Sequence, residues 1–160
     1  MTTPVSVWRN PIHFLAFGCG SGAVPKAPGT FGSLAALVPY FFMQDLSQPF
    51  YLGLLVVSAV IGIYLCGKTA QDLGVHDHSG IVWDEFVGMW LTLFAAPQGI
   101  GWVVIGFVLF RLFDILKPMP IGWLDKRVHG GIGIMLDDIV AGSFAWICLQ
   151  LIALSGVISV

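Results

Sequence analysis

Five carboxylates stand at or near the ends of strongly apolar segments in this sequence: Asp84, Glu85, Asp114, Asp137 and Asp138. An acidic side chain at the centre of a bilayer costs about 2.5–3.5 kcal/mol on insertion scales, so ionisable groups in apolar segments usually face a bundle interior or a wet cavity. Carboxylates gathered in one place would repel each other unless a cation joined them. Because oxygen ligands suit a hard cation, we predict that some of this set bind Mg²⁺. Caps and interfacial charges are the structural alternative.

A glycine-rich stretch supplies a complementary, anion-binding chemistry. Residues 18–33 contain five glycines, with Lys26, Thr30 and Ser33 as additional donors. Glycines let backbone N–H groups approach an anion, and the start of a helix adds a favourable dipole. The stretch is neither a Walker sequence nor a dinucleotide fingerprint. An alternative role for these glycines is therefore to allow turns and close helix packing rather than to bind an anion.

Two basic residues flank Asp114 at a distance of three residues on either side, namely Arg111 and Lys117. They can hold a phosphate or pair with the carboxylates. The segment His76-Asp77-His78 matches no zinc-ligand spacing, and we interpret it as a solvated loop.

Composition indicates how these residues are positioned. The chain has 160 residues, enough for a single domain over 1–160, of which 57% are apolar and 10% charged, with a mean hydropathy of +0.89. A soluble chain carries roughly 25% charged residues, so a membrane protein in contact with lipid is predicted. The formal net charge of −2 leaves no basic surface for a nucleic acid.

Five apolar segments can be drawn, at residues 31–43, 50–67, 81–96, 100–116 and 139–160. They predict an all-α, polytopic membrane bundle of about five hydrophobic helices. A spanning helix needs about 20 residues, so the first and third segments are short. The first also contains Pro39, and we expect it to be short or half-spanning.

The basic residues predict the orientation of the bundle. Five crossings place the N-terminus, residues 68–80 and residues 117–138 on one side, and all seven Lys and Arg residues fall there. Lys and Arg in short loops stay in the cytoplasm, so the N-terminus is predicted to be cytoplasmic. Eight of the nine acidic residues, all but Asp45, lie on the same side. The five carboxylates should therefore share one depth at the cytoplasmic face.

Four blocks of sequence carry a resemblance to a known family. They are GSGAVPKAPGTFGS at 20–33, IVWDEFVGMW at 81–90, FRLFDILKPMPI at 110–121 and GGIGIMLDDIVAG at 130–142. In combination they are specific and cover nearly the whole chain. The sequence resembles the bacterial phosphatidylglycerophosphatase A family.

The resemblance implies a Mg²⁺-dependent lipid phosphatase of the bacterial inner membrane. It would hydrolyse phosphatidylglycerophosphate to phosphatidylglycerol and phosphate at the cytoplasmic face. We expect the catalytic set to supply the metal ligands and one general base, from Asp84, Glu85, Asp114, Asp137 and Asp138. We expect the phosphate to be held by Lys26, Arg111 and Lys117, with Thr30 or the Gly29 backbone assisting.

Two other functions fit intramembrane carboxylates. A cation transporter or channel component would use them along an ion path, which should place carboxylates at several depths. The second and fifth segments have none in their interiors, which favours a site at the surface. A structural subunit of a membrane complex is the other alternative. The sequence leaves the oligomeric state open.

Overall fold

The computed structural model describes residues 3–75 and 78–156, apart from the side chains of Asp125 and Lys126. Within those ranges every regular element is helical, which confirms the all-α prediction. Two short 3-10 segments occupy Val5–Trp8 and Gly18–Ala23; the α-helices are α1 (Pro11–Ala16), α2 (Pro28–Met43), α3 (Gln48–Leu73), α4 (Trp83–Thr92), α5 (Ile100–Leu116), α6 (Ile121–Arg127) and α7 (Gly130–Ser155).

Local sequence accounts for where several helices begin and end. Proline occupies the first turn of α1, α2 and α3, where its fixed φ suits a helix and its missing N–H is not needed. Glycine follows α3 and α7, at Gly74 and Gly156, each in the left-handed conformation that commonly ends a helix. The helix α5 ends differently, because Lys117 adopts the left-handed conformation there with φ +42°.

The helix α7 forms the centre of the fold and packs against α3, α4, α5 and α6. Glycines make two of these contacts close. A Cβ added at Gly142 would lie 2.6 Å from the carbonyl oxygen of Gly88 in α4. A Cβ added at Gly131 would lie 1.9 Å from the carbonyl oxygen of Ile63 in α3. Small residues let helix backbones approach in this way, so α7 is held tightly by both neighbours.

Each of the five predicted apolar segments overlaps one helix, but several of their ends differ from those of the helix. The fourth segment matches α5 at both ends. The helix α3 continues past residue 67 to Leu73, and α7 begins at Gly130 rather than at residue 139. The predicted start of the fifth segment is therefore wrong, because the first turns of α7 contain glycines and two carboxylates that an apolar-segment criterion rejects. The short helices α1 and α6 were not predicted.

The third predicted segment, 81–96, is shorter in the structure. The helix α4 has 10 residues and so is about 15 Å long, half of a hydrocarbon core of about 30 Å. Beyond Thr92 the chain turns, and Ala95 has a φ of +53°. Because α4 alone is too short to cross a bilayer, five complete crossings and the topology built on them are not confirmed. In the described part of the chain, two helices are long and apolar enough to cross a membrane, α3 and α7.

The N-terminal segment is fastened to the end of α3 through a buried histidine. His13 Nδ1 lies 3.1 Å from Ser6 Oγ, and His13 Nε2 lies 3.2 Å from Asp72 Oδ2. Lys68 Nζ donates to Asp72 Oδ1 at 2.6 Å. These bonds connect α1 to α3 and thereby hold the glycine-rich stretch that leads into α2.

Candidate active site

Three carboxylates from three different helices meet in the core. Glu85 lies in the first turn of α4, Asp114 near the end of α5, and Asp138 within α7. Each offers one oxygen atom, and these atoms all lie within 4.8 Å of one another. Glu85 and Asp138 are buried, and Asp114 is half-buried. We call these three residues the carboxylate cluster.

Arg111 is the cation in contact with this cluster. Its Nη1 forms a very short ion pair with Glu85 Oε2 and a second ion pair, 3.0 Å long, with Asp114 Oδ2. The side chains of Arg111 and Asp114 are each 14% exposed, so water screens the second pair little. The single positive charge of this guanidinium faces three carboxyl groups, so the cluster is acidic enough to attract a further cation.

The other two predicted carboxylates border the cluster. Asp137 Oδ2 accepts a hydrogen bond from Lys117 Nζ at 2.7 Å, and Asp137 Oδ1 accepts one from the backbone N–H of Asp138 at 3.1 Å. Asp84 is half-buried in the first turn of α4. Like Asp137, it is close enough to Asp138 for the two carboxylates to repel each other. The five carboxylates thus form one neighbourhood, with three of them at its centre.

The position of Asp137 and Asp138 in their helix differs from the prediction. The sequence placed them at the start of the fifth segment, where a helix N-terminus favours anions. Because α7 begins at Gly130, they lie about two turns inside it. The favourable dipole fades within the first turn, so it does not explain their burial.

The glycine-rich stretch reaches the cluster through one residue. Gly29 lies in the first turn of α2, and a Cβ added there would lie 2.1 Å from Glu85 Oε1 and 3.2 Å from Arg111 Nη2. Thr30, the next residue, is half-buried. Lys26 is exposed in the turn before α2. The beginning of α2 therefore forms one wall of the site, whereas no contact joins Lys26 to the cluster among the described residues.

Ser33 contributes to the site in a way that the sequence did not indicate. The sequence suggested an anion donor, but its fully buried hydroxyl donates to Glu85 Oε2 at 2.7 Å. Its position, four residues after Gly29, puts both on the same face of α2. That spacing could have indicated that Gly29 and Ser33 lie against the same side chain, which is Glu85. Of the discounted histidine segment, His76 and Asp77 lie outside the described residues.

The donor set fits a hard divalent cation. All three members of the cluster are carboxylates, which suit Mg²⁺ better than nitrogen or sulfur ligands do, and they come from three helices rather than from a loop. A divalent cation would relieve the repulsion between these closely spaced carboxyl groups. Phosphoryl oxygens would be attracted to the same place by Arg111 and Lys117.

Comparisons with known proteins agree with the resemblance in the four sequence blocks. The sequence profile of the phosphatidylglycerophosphatase A family matches residues 14–153. No solved structure matches.

Three relatives illustrate the similarity. Phosphatidylglycerophosphatase A of Escherichia coli strain K12 is 55% identical over 134 residues, covering 83% of this chain and 78% of that protein. The Haemophilus influenzae protein of the same name is 47% identical over 138 residues, covering 85% of each chain. A Bacteroides thetaiotaomicron protein, provisionally named phosphatidylinositol-3-phosphatase, is 37% identical over 141 residues, covering 82% of this chain and 87% of that protein. Because the family profile spans most of the sequence and these identities extend along it, the chain belongs to the phosphatidylglycerophosphatase A family of phosphatase enzymes.

Proposed function

We propose that the chain removes the terminal phosphate of phosphatidylglycerophosphate and releases phosphatidylglycerol and inorganic phosphate. Two of its relatives carry the name of this activity, at 55% and 47% identity. The observation that carries the proposal is the carboxylate cluster, three carboxylates within 4.8 Å of one another beside a single guanidinium. Such a site attracts a cation and a phosphate together.

Mg²⁺ is the cofactor in this proposal, held by Glu85, Asp114 and Asp138. When bound, it supplies positive charge to the phosphoryl oxygens, where negative charge grows during hydrolysis. Asp84 and Asp137 border the ligand set, and one of the five carboxylates acts as the general base.

Arg111 and Lys117 bind the phosphate in this proposal. Each is already within hydrogen-bond distance of a carboxylate, Arg111 at 3.0 Å from Asp114 and Lys117 at 2.7 Å from Asp137. A guanidinium has five N–H donors and an ammonium three, so each can keep its carboxylate and bind a phosphate oxygen as well. Gly29 and Thr30 add the start of α2, and the exposed Lys26 meets the headgroup at the edge of the site.

We place the enzyme in the bacterial inner membrane with this site facing the cytoplasm. The apolar surface supports a lipid environment, because α3 exposes large side chains such as Phe50, Val56 and Val60 to its surroundings. In a soluble domain, an exposed apolar surface of this kind would promote association with other proteins. The substrate, a membrane lipid, would then reach the site from the surrounding bilayer.

Thin-layer analysis of a radiolabelled lipid tests the proposal. Purified protein in detergent is incubated with phosphatidylglycerophosphate, with Mg²⁺ or with a chelator, and with phosphatidylinositol 3-phosphate in parallel. We expect phosphatidylglycerol to form only with Mg²⁺ and in preference to inositol-lipid hydrolysis. Faster release from phosphatidylinositol 3-phosphate would contradict the substrate assignment. An absence of phosphate release, together with cation flux in liposomes, would replace the enzyme proposal with transport.

A further inference from the structure

We propose that Ser33 is a positioning residue whose hydroxyl fixes the orientation of Glu85 and Arg111 in the phosphatase site. This inference rests on the proposed function for its catalytic consequence. Ser33 lies in the second turn of α2 and has no exposed surface, so lipid, water and substrate do not reach it directly. Its effect on the reaction must therefore pass through the groups that it touches.

Three groups surround the hydroxyl. Ser33 Oγ lies 2.7 Å from Glu85 Oε2, 2.9 Å from the carbonyl oxygen of Gly29 and 3.2 Å from Arg111 Nη1. A serine hydroxyl has one hydrogen to donate and two lone pairs to accept with. Arg111 has only donors, so it must donate to Oγ. Glu85 and the Gly29 carbonyl then compete for one hydrogen.

Charge decides this competition. A serine inside a helix commonly donates to the carbonyl four residues earlier, here that of Gly29. The Glu85 carboxylate is paired with Arg111, and a hydrogen bond to such a charged group is roughly twice as strong as one to a neutral carbonyl; the Glu85 contact is also the shorter of the two. The hydrogen of Ser33 is therefore directed to Glu85, and its lone pair faces Arg111.

The result is that Ser33 and Gly29 together set the orientation of the carboxylate. Oε2 of Glu85 is held by Ser33 and Arg111. Oε1 lies on the side where Gly29 has no side chain. With one oxygen bonded and the other given space, the carboxylate plane of Glu85 has little freedom to rotate. A cluster ligand fixed in this way keeps its geometry when substrate arrives.

Two substitutions separate the hydroxyl from the volume that it fills. Ser33→Ala removes the oxygen, whereas Ser33→Cys keeps a side chain of similar size with only a weak donor. We expect both to lower kcat by about 10- to 100-fold, the usual effect of losing a residue that orients a ligand, with KM within twofold of the native value. Native kcat in Ser33→Ala, or a full recovery in Ser33→Cys, would overturn the proposal. If Ser33→Ala fails to fold, Ser33→Cys alone decides.

Ser143 provides a matched control in α7. Its Oγ donates at 2.8 Å to the carbonyl oxygen of Ile139, four residues earlier, as Ser33 does to Gly29. Ser143 does not touch the carboxylate cluster in any contact described for it. We expect Ser143→Ala to retain native kcat. An equal loss of kcat in both serine variants would assign the effect to the helix bond and overturn the proposal.

A measurement that does not depend on activity keeps this inference separate from the proposed function. Melting temperatures are determined for Ser33→Ala, Glu85→Gln and the double variant in the absence of metal. Residues that share a hydrogen bond give non-additive effects, so the double variant should lose less than the two single losses combined. The pair Ser143→Ala and Glu85→Gln should be additive. Additive losses in the Ser33 pair would overturn the positioning role, whereas non-additive losses in a protein that releases no phosphate would overturn only the proposed function.

Discussion

A methyl group added to Gly29 would lie 2.1 Å from Oε1 of Glu85, although the two residues belong to different helices, α2 and α4. The nearest atom is part of a carboxylate that is itself bonded to Ser33 and Arg111, so it cannot simply swing away. The absence of a side chain at position 29 is therefore a condition for the observed position of Glu85. This relation explains why the glycine-rich stretch bears on a cluster that lies far away in the sequence.

Gly29→Ala should displace Glu85 and lower activity. Misplacing a reacting group by about 1 Å can cost roughly 100-fold in rate, so we expect kcat to fall between about 10- and 100-fold. The measurement is phosphate release from purified protein. Gly53→Ala in α3 is the control, because a Cβ there meets nothing within 4 Å. Full activity in Gly29→Ala would mean that Glu85 can move without consequence.

Neutralising one member of the carboxylate cluster should abolish cation binding and activity together. For Asp138→Asn and Asp114→Asn we expect losses of at least about 100-fold, since a metal ion supplies several kcal/mol of charge stabilisation and each 1.36 kcal/mol is tenfold. Binding of Mn²⁺, followed by electron paramagnetic resonance, checks the ion directly. Asp45→Asn, an exposed residue between α2 and α3, should behave like the native protein. Unchanged Mn²⁺ binding in Asp138→Asn would remove that residue from the ligand set.

The pair of Lys117 and Asp137 should contribute more to stability than a similar pair at the surface. Lys117 Nζ lies 2.7 Å from Asp137 Oδ2, and the two side chains are 32% and 11% exposed, respectively. Removing Lys117 takes one hydrogen-bond donor from a largely buried carboxylate, so Lys117→Met should cost about 1–3 kcal/mol in the free energy of unfolding.

The comparison for this prediction is Lys68→Met. Lys68 pairs with Asp72 at 2.6 Å, but its side chain is 41% exposed. Exposed pairs four residues apart on a helix contribute about 0.3–0.5 kcal/mol. Denaturant titration in a fixed detergent measures both variants. Equal losses would show that burial of the Asp137 pair has no energetic effect.

The crossing of α4 and α7 should not tolerate a side chain at Gly142. Its Cβ would lie 2.6 Å from the carbonyl oxygen of Gly88, and a backbone atom of a packed helix cannot move aside as a flexible side chain does. Overpacking usually costs about 1–3 kcal/mol, so Gly142→Ala should lower the melting temperature measurably. Because the crossing also positions Glu85 and Asp138, activity should fall with stability. A melting temperature at or above the native value would contradict this contact.

The sequence predicted the helical class and the meeting of carboxylates better than it predicted the path of the chain. Carboxylates in apolar segments are costly enough that their presence marks a buried polar site, and Glu85, Asp114 and Asp138 do meet there. The sequence did not predict which side chain faces which neighbour. The bond from Ser33 to Glu85 joins residues 52 positions apart, and only the packing of α2 against α4 brings them together.

The boundaries of α4 and α7 were harder to predict for a related reason. Hydropathy continues through residues 93–96 although the helix has ended, and it falls across residues 130–138 although the helix has begun. Apolar character reports the surroundings of a residue, not its backbone conformation. Hydropathy therefore fails to locate a helix end in two situations. One is a helix whose first turns contain polar residues, as in α7, and the other is an apolar chain that turns inside a packed interior, as after α4.

In the turn that follows α4, backbone carbonyl groups accept hydrogen bonds from side chains of α7. Trp146 Nε1 donates to the carbonyl oxygen of Phe94 at 2.9 Å, and Gln150 Nε2 donates to those of Phe94 and Ala95 at 3.1 and 3.2 Å. Carbonyl groups of a turn have no helical partner and otherwise depend on water, which hydrocarbon does not provide. Because two side chains of α7 take the place of water, these carbonyl groups would keep hydrogen-bond partners in hydrocarbon. A re-entrant loop that dips into one leaflet and returns needs the same provision.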